Sequence, residues 1–221
     1  MAKDTKARIV DAAIEKFNED GVAAVTTNHI AAHLGISPGN LYYHFANKEE
    51  IIREIWDRMN AEAADAWGAI GPGKALDPLA LQRLVTANLQ LFGKYLFFAR
   101  ELPALLRADD ELRARYREVA AMRMQQLDQG LAALAKAGLL RGLDDPEDRR
   151  AIAETAWMLG VFCVPHAETL ADTPKTPKQR AQRTREAIER GALLVIRLFE
   201  AYMDPVAYAA LVVLVRSELH K

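Results

Sequence analysis

The sequence predicts an all-α protein. Apolar residues recur three and four positions apart along nearly the whole chain of 221 residues, a spacing that gives a helix one apolar face. No run of alternating polarity is long enough to argue for a sheet. Hydrophobic residues make up 51% of the chain and charged residues 27%, which suits a globular protein with a substantial core.

Composition limits the possible functions. The formal net charge is -1, so binding to a nucleic acid would have to come from the local placement of charge and helix ends. Cys163 is the only cysteine, so an intrachain disulfide is impossible. The N-terminus has no apolar stretch like that of a signal peptide, and no apolar run approaches the length of a membrane span. We expect a cytoplasmic protein that makes no membrane contact.

The ends of the first four helices can be read from the sequence. Gly21 and Gly35 are positions at which the first and second helices end, since glycine easily adopts the left-handed conformation of a helix end. Residues whose side chains can cap a helix N-terminus precede the second, third and fourth helices: Thr26, Ser37 and Asn47. Pro38 fits the first position of the third helix, and Glu50 stands at the reciprocal capping position of the fourth.

Similar signals divide the rest of the chain. The segment 68–78, GAIGPGKALDP, is the clearest interruption of the helical pattern. Asp109 or Asp110 can start a helix that Gly138 ends. Three more helices are predicted to begin with an Asp cap followed by proline, at Asp77, Asp145 and Asp204.

The third helix has an outer face with side chains suited to a DNA duplex. Leu41 and Phe45, four residues apart, point into the small domain. Asn40 can read an adenine edge with a donor and an acceptor, and Gly39 allows close approach of the backbone. The outer face and the N-terminal tip comprise Ser37, Pro38, Gly39, Asn40, Tyr42, Tyr43 and His44. Two short helices, a tight turn and such a face indicate a helix-turn-helix that reads DNA.

Phosphate groups have their own candidate contacts. Thr27 and Asn28 lie at the N-terminus of the second helix, where free amides and the helix dipole favour anions. Lys48 adds a positive charge at the start of the fourth helix. Tyr42, Tyr43 and His44 present donors at a depth suited to phosphate oxygens.

The run from Arg8 to Ile51 closely resembles the tetracycline-repressor (TetR) family of bacterial transcriptional regulators. The matching residues are Ala12-Ala13, Phe17, Gly21, Thr26-Thr27, Ile30-Ala31, Gly35-Ile36-Ser37, Gly39, Leu41-Tyr42, His44-Phe45 and Lys48-Glu49. The resemblance implies a helix-turn-helix domain at residues 1–47 and a helical ligand-binding and dimerisation domain at residues 48–221. Beyond the first quarter of the chain it is limited to size and helical character.

The resemblance also implies roles for individual residues. Those that look like phosphate contacts are Thr27, Tyr42, His44 and Lys48, and those placed near bases are Asn28, Pro38, Gly39, Asn40 and Tyr43. Many relatives have a polar or basic residue where this chain has Pro38, which removes one possible base contact. The operator sequence therefore stays open.

A homodimer is implied, with the last two long helices pairing with their copies in a four-helix bundle. Apolar stripes at Ile188 to Met203 and at Tyr208 to Leu219 are more apolar than a lone surface helix needs. The alternative is that both stripes face only the core of their own domain.

A small-molecule pocket is implied in the larger domain. Aromatic rings and methionines with a few polar tips suit an apolar ligand: Phe92, Tyr95, Phe98, Tyr116, Met122, Met124, Trp157, Phe162 and His166. The alternative for each of these residues is a place in the core.

The leading hypothesis is a ligand-responsive transcriptional regulator, a repressor that binds a palindromic double-stranded operator as a homodimer and is released by an unknown, largely apolar effector. The alternatives are a helical carrier or enzyme for hydrophobic small molecules with a vestigial DNA-binding unit, and a helical RNA-binding protein. His29 and His33 have the spacing of a zinc pair, but a third ligand and the glutamate of a metalloprotease are missing. We predict no catalytic residue, metal or cofactor.

Overall fold

In the part of the chain that the structure describes, the regular structure is helical apart from one isolated β-bridge between Leu140 and Met203. The computed structural model describes residues 2–68, 78–172 and 174–219. Within these ranges the chain forms α1 (Ala2–Asp20), α2 (Thr27–Leu34), α3 (Pro38–His44), α4 (Lys48–Gly68), α5 (Pro78–Lys94), α6 (Leu96–Ala108), α7 (Asp110–Lys136), α8 (Pro146–Leu170), α9 (Pro177–Arg197), a 3-10 helix (Glu200–Tyr202) and α10 (Pro205–Leu219). None of these helices is long and apolar enough to cross a bilayer. The all-α prediction is confirmed.

Side-chain caps start the helices at the predicted positions. A backbone N–H two or three residues further on donates to the side chains of Thr26, Ser37, Asn47, Asp109, Asp145 and Asp204. Each cap supplies an acceptor to an amide that has no partner inside its helix, which stabilises the helix by about 1 kcal/mol. Asp77, the remaining predicted cap, lies outside the described residues, as does the predicted interruption at 69–77.

Two compact units are distinguished by their internal contacts. The first contains the chain up to Glu62 together with Lys94–Arg115. The second contains Ala63–Gly93 and the chain from Tyr116 onward. The predicted boundary between a DNA-binding and a ligand-binding domain at residue 47 stays a prediction. The two packing units do not divide at that residue. The first part of α4 and all of α6 belong to the same unit as the helix-turn-helix.

The core of the first unit includes a helix that is distant in sequence. Ile9, Ile30 and Leu41, from the first three helices, are all fully buried. Phe97 of α6 is fully buried with them, and its ring centroid lies 5.1 Å from that of Phe17. Burial of one such ring stabilises the unit by roughly 1.5–3 kcal/mol. α6 is therefore part of the core that supports α1 to α3.

Hydrogen bonds attach α6 to the end of α1. The Asn18 amide group donates to the Lys94 carbonyl oxygen at 2.8 Å, and its oxygen accepts the Phe97 N–H at 2.9 Å. The Val22 N–H donates to the Glu101 carboxylate at 2.8 Å. The first turn of a helix leaves amides without partners, and Asn18 supplies an acceptor to one of them from another helix. These bonds fix α6 beside the helix-turn-helix.

The second unit has two apolar clusters. The first is built on Leu131, Leu140, Leu143, Ile152 and Ala153, and the second on Ala63, Trp67 and Leu84. α8 packs against α9, and α9 packs against α10. Ile188, Ile196 and Val215, members of the two predicted dimer stripes, are 8%, 5% and 0% exposed. These three side chains therefore face the core of their own unit.

A glycine of α9 lies in close contact with α8. A Cβ atom at Gly191 would lie 2.3 Å from Sγ and 2.6 Å from Cβ of Cys163. Cβ atoms in proteins essentially never come this close to another atom, so a larger residue at this position would force Cys163 or the helices to shift. Burial raises the pKa of the Cys163 thiol, which therefore stays protonated and acts as a small packing group.

Gly191→Ala is expected to destabilise the protein by about 1–3 kcal/mol, because the new methyl group collides with Cys163. Gly160→Ala is the matched control, since Gly160 also lies inside a helix and its Cβ would lie 3.9 Å from the nearest atom, Cζ of Phe92. That substitution is expected to stabilise by up to about 1 kcal/mol through helix propensity. Urea unfolding followed by circular dichroism measures both. Equal shifts of the two midpoints would contradict the close packing at Gly191.

Candidate functional site

The turn between α2 and α3 fixes how α3 is presented. Gly35 has φ 66° and ψ 29°, a left-handed conformation that favours glycine. Its N–H donates to the Ala32 carbonyl oxygen at 3.1 Å, and the Ile36 N–H donates to that of Ala31 at 3.0 Å. Ser37 then accepts the Asn40 N–H at 3.2 Å and starts α3. The predicted helix-turn-helix geometry is present.

One buried side chain sets the rotation of α3 about its axis. Leu41 is fully buried against the core of the first unit, and Phe45 directly after the helix is 3% exposed. The opposite side of α3 therefore faces outward. The exposed members of the predicted DNA-binding set are Asn28, Ser37, Pro38, Gly39, Asn40, Tyr42 and Tyr43, and the half-buried members are Thr27, His44 and Lys48. We call these ten residues the reading surface.

Two predicted phosphate contacts meet on the reading surface. The hydroxyl groups of Thr27 on α2 and Tyr42 on α3 are hydrogen-bonded at 3.0 Å. Tyr42 is 50% exposed, so its hydroxyl group is accessible. One hydroxyl group of the pair donates to the other, which keeps its own O–H to donate to an anionic oxygen. The bond also connects the two helices of the motif outside its apolar core.

Tyr43 is the most exposed aromatic side chain of the reading surface. It is 80% exposed, although tyrosine normally buries much of its ring. The His44 ring lies edge-on to it, with centroids 5.1 Å apart. An exposed tyrosine ring does not contribute to the core, but its apolar ring and its hydroxyl group can both contact a partner.

Lys48 holds the loop between α1 and α2. Its ammonium group donates to the carbonyl oxygens of Val22 at 2.7 Å and Val25 at 3.0 Å. An ammonium group has three N–H donors, so one is left for a phosphate oxygen. No pattern in the sequence indicates this structural role, because the two carbonyl groups belong to a loop more than twenty residues away.

The histidines of α2 have partners within the first unit. His29 Nδ1 accepts the Thr26 N–H at 3.4 Å and so completes a capping box, a place usually taken by Glu or Gln. His33 Nε2 lies 3.2 Å from the Glu15 carboxylate. These contacts belong to a helix cap and a surface hydrogen bond.

The structure distributes the predicted ligand residues over both units. Tyr95 and Phe98 belong to the first unit and are 2% and 4% exposed. The Phe98 ring lies 5.6 Å from that of Trp56. Burial and the nearby Glu62 carboxylate raise the pKa of Tyr95 well above its usual range. Both residues thus pack in the core around α6.

The other seven candidates belong to the second unit. Met122 is 44% exposed and Phe162 46%, and His166 is also exposed. The half-buried members are Phe92, Tyr116, Met124 and Trp157. Trp157 packs on the cluster of Ala63, Trp67 and Leu84, with its ring centroid 6.4 Å from that of Trp67. Trp157 is therefore the candidate whose place in an apolar interior is best defined.

Sequence reasoning missed Arg123. This residue of α7 is 4% exposed, and its guanidinium carbon lies 4.7 Å from the centroid of the Trp67 ring. A signal was present, because Arg123 lies one turn before Leu127 on the apolar stripe that continues to Leu131. A charged residue on such a stripe is easily taken for an exposed one.

An N-terminal helix-turn-helix followed by a larger helical unit is an architecture of DNA-binding regulators. A family model described as "Bacterial regulatory proteins, tetR family" matches residues 9–55, and one described as "Bacterial transcriptional repressor" matches residues 74–211. The chain belongs to the TetR family of bacterial transcriptional regulators. This is a family of regulators and not of enzymes, which removes the enzyme alternative.

Individual relatives match over different parts of the chain. It is 33% identical over 99 residues to the probable HTH-type transcriptional regulator ArpR of Pseudomonas putida, covering 45% of this chain and 46% of that protein. It is 32% identical over 99 residues, with the same coverage, to the HTH-type transcriptional regulator TtgR of Pseudomonas putida. The matched segment thus spans just under half the length of these relatives.

A solved structure extends the likeness to nearly the whole chain. This is a TetR-family transcriptional regulator from Marinobacter aquaeolei VT8, with a TM-score of 0.81 and 28% sequence identity. The alignment covers 97% of this chain and 98% of that one.

Lys48→Met is expected to destabilise the first unit even without DNA, by about 1–3 kcal/mol, because two loop carbonyl groups lose a charged donor. Lys6→Met is the matched control, since the Lys6 ion pair with Glu54 is exposed at 42% and 41%. Such pairs contribute about 0–1 kcal/mol. Thermal unfolding followed by circular dichroism measures both variants. A Lys48→Met protein with the melting temperature of the wild type would restrict Lys48 to DNA contact.

Proposed function

We propose that this protein is a ligand-responsive repressor, which binds a palindromic DNA operator as a homodimer and is released by a small effector. The observation that carries the proposal is the reading surface. Leu41 fixes its rotation, the turn at Gly35 fixes its angle to α2, and its outward side presents hydroxyl, amide and imidazole groups.

Phosphate binding is assigned to the edge of the surface. The paired hydroxyl groups of Thr27 and Tyr42 are accessible to one phosphate oxygen. His44 and the remaining N–H of Lys48 add donors, and the N-terminus of α2 adds the partial positive charge of a helix end. Such contacts fix the register of the protein on the duplex without reading its sequence. Local donors thus allow a chain with a net charge of -1 to bind DNA.

Base reading is assigned to the tip of α3. The Asn40 backbone N–H is held by Ser37, and its side-chain amide projects from an exposed position. A side-chain amide can donate to and accept from one adenine edge in the major groove. Asn28, Pro38, Gly39 and Tyr43 lie on the same exposed surface and complete the proposed readout.

Dimerisation is assigned to apolar side chains that the chain leaves exposed. Val206 and Val213, seven residues apart on α10, are 77% and 67% exposed. Met158 and Phe162, four residues apart on α8, are 48% and 46% exposed. Both spacings place the paired residues on one helix face. A second copy of the chain would remove these faces from water.

Effector release is proposed to act through α4. This helix begins at Lys48, a member of the reading surface, and contributes Trp67 to an apolar cluster of the second unit. Two reading helices must stand about 34–36 Å apart to enter successive major grooves. An effector that prefers another spacing weakens DNA binding by its difference in affinity for the two states.

Selection of bound sequences from a random pool of duplex DNA tests the proposal. We expect a motif with two-fold symmetry and half-sites about one helical turn apart. Salt-sensitive binding without sequence enrichment would contradict it, and preference for single-stranded or A-form RNA would support the RNA-binding alternative.

Asn40→Ala and Tyr42→Phe are expected to affect the selected motif differently. Asn40→Ala should relax the preference at one base pair per half-site, at a cost of about 1–3 kcal/mol. Tyr42→Phe should weaken binding to all duplexes similarly, because a phosphate contact carries no sequence information. Repeating the selection with each variant, alongside titrations of matched and mismatched duplexes, separates the two effects. An unchanged motif for Asn40→Ala would remove this residue from the readout.

Val213→Glu is expected to dissociate the proposed dimer, because a carboxylate is costly to bury without a partner. The dissociation constant should rise at least about tenfold, which corresponds to about 1.4 kcal/mol. Sedimentation velocity measures the change. Leu139→Glu is the control, since Leu139 is also an exposed aliphatic residue, at 42%, but lies outside α8 and α10. If Val213→Glu remains as dimeric as this control, the proposed face of α10 is wrong.

A further inference from the structure

The second unit contains a charged group where an apolar one is expected. Arg123 is 4% exposed and is the one buried charged side chain among the residues that the structure describes. It lies on α7, whose stripe continues into the core through the half-buried Leu127 and the buried Leu131. Full burial of arginine is rare unless an anion pairs with it.

Few contacts among the described residues offset the cost of removing the charge of Arg123 from water. Its guanidinium group carries five N–H donors, and Nη1 donates to Gln126 Oε1 at 2.9 Å. Among the side chains that the structure describes, no carboxylate lies within ion-pair distance of it. Other half-buried arginines do have acidic partners: Arg53 lies 2.8 Å from Asp109, and Arg149 lies 3.4 Å from Asp128.

The face of the Trp67 ring stabilises the positive charge of Arg123 less than water would. The guanidinium carbon of Arg123 lies 4.7 Å from the centroid of that ring. The attraction between a cation and an aromatic face is smaller than the cost of removing the cation from water. Burial accordingly lowers the pKa of Arg123. The electrostatics of this site therefore favour an anion.

The surroundings of Arg123 are apolar and aromatic. Trp67 and Leu84 are 8% and 9% exposed, and the Trp157 ring centroid lies 6.4 Å from that of Trp67. The half-buried side chains of the same cluster are Ala66, Leu91, Leu127 and Trp157. A ligand that fits here needs an apolar body beside its charged group.

We propose that the effector is an organic acid with an apolar or aromatic body, whose carboxylate pairs with Arg123 and whose body packs against Trp67 and Trp157. This inference rests on the proposed function, which it extends to the chemical class of the effector. Gln126 accepts from Nη1, and no described side chain accepts from the edge formed by Nε and Nη2, which has the geometry to bind both oxygens of a carboxylate. A single buried cation matches a single negative charge better than the double charge of a phosphate monoester.

Matched acids and alcohols test the proposal. The probes are straight-chain carboxylic acids of increasing length and 2-naphthoic acid, each paired with the alcohol of the same carbon skeleton. Binding to the full-length protein is followed by tryptophan fluorescence and by the shift of the melting temperature. At least one acid should bind about tenfold or more tightly than its alcohol. Equal binding within every pair, or no response to any acid up to its solubility limit, would overturn the proposal.

Substitutions of Arg123 identify the contact. Arg123→Met keeps the length and apolar stem of the side chain, and should abolish the preference for the acid while leaving the alcohol bound. Since it removes a buried charge, it should also raise the melting temperature without ligand. Arg123→Lys retains the charge without the planar fork, and should keep a reduced preference. An acid preference unchanged in both variants would exclude Arg123 as the counter-ion.

The DNA experiments distinguish failure of this inference from failure of the proposed function. Wild-type protein is expected to bind the selected operator, and the preferred acid should release it. Arg123→Met should bind the same operator with the wild-type affinity and resist release by the acid. Operator binding without any acid effect would overturn only the assignment of the effector. Absence of a selected operator would overturn the regulator itself.

Discussion

The reading surface depends on the burial of one side chain. Leu41 is fully buried among the apolar residues of α1 and α2, and a helix anchored on one side must turn its other side outward. Gly35, in its left-handed conformation, sets the direction from which α3 starts. The hydroxyl pair of Thr27 and Tyr42 then joins the helices on the outside. The orientation of these polar groups is thus set by the burial of Leu41, although Leu41 itself lies on the opposite side of the helix.

The support of that surface extends beyond the helix-turn-helix. α6 supplies Phe97 to the core around Phe17, and Asn18 and Glu101 satisfy backbone amides on both sides of the contact. Lys48 adds two bonds to the carbonyl groups of the loop before α2. A change that shifts α6 or the start of α4 would therefore strain hydrogen bonds as well as packing. In the proposed mechanism both helices would transmit an effect to the reading surface, and α4 also contributes residues to the second unit.

The second unit has a closely packed contact between two helices and, elsewhere, a buried charged side chain. Gly191 allows α9 to approach Cys163 of α8 at a distance that any larger residue would prevent. Such packing resists deformation, so the effector of the proposed function would act by favouring one arrangement over another. Arg123 is the buried charged side chain: its charge lies in an apolar cluster, and its partners among the described side chains are the Gln126 amide and the Trp67 indole ring.

Local rules within the sequence determined the helical character of the chain, the six described caps that it predicts, the turn at Gly35 and the inward position of Leu41, but not the starts of α6 and α9. These features depend on residues within one or two turns of each other, where cap chemistry and apolar spacing act directly. Tertiary structure decided that α6 joins the first unit, that Lys48 holds a loop, and that Tyr95 and Phe98 pack in a core. It also placed Arg123 against Trp67 instead of in water. Each of these outcomes depends on a contact between residues distant in sequence, and helical spacing identifies an apolar face without identifying what covers it.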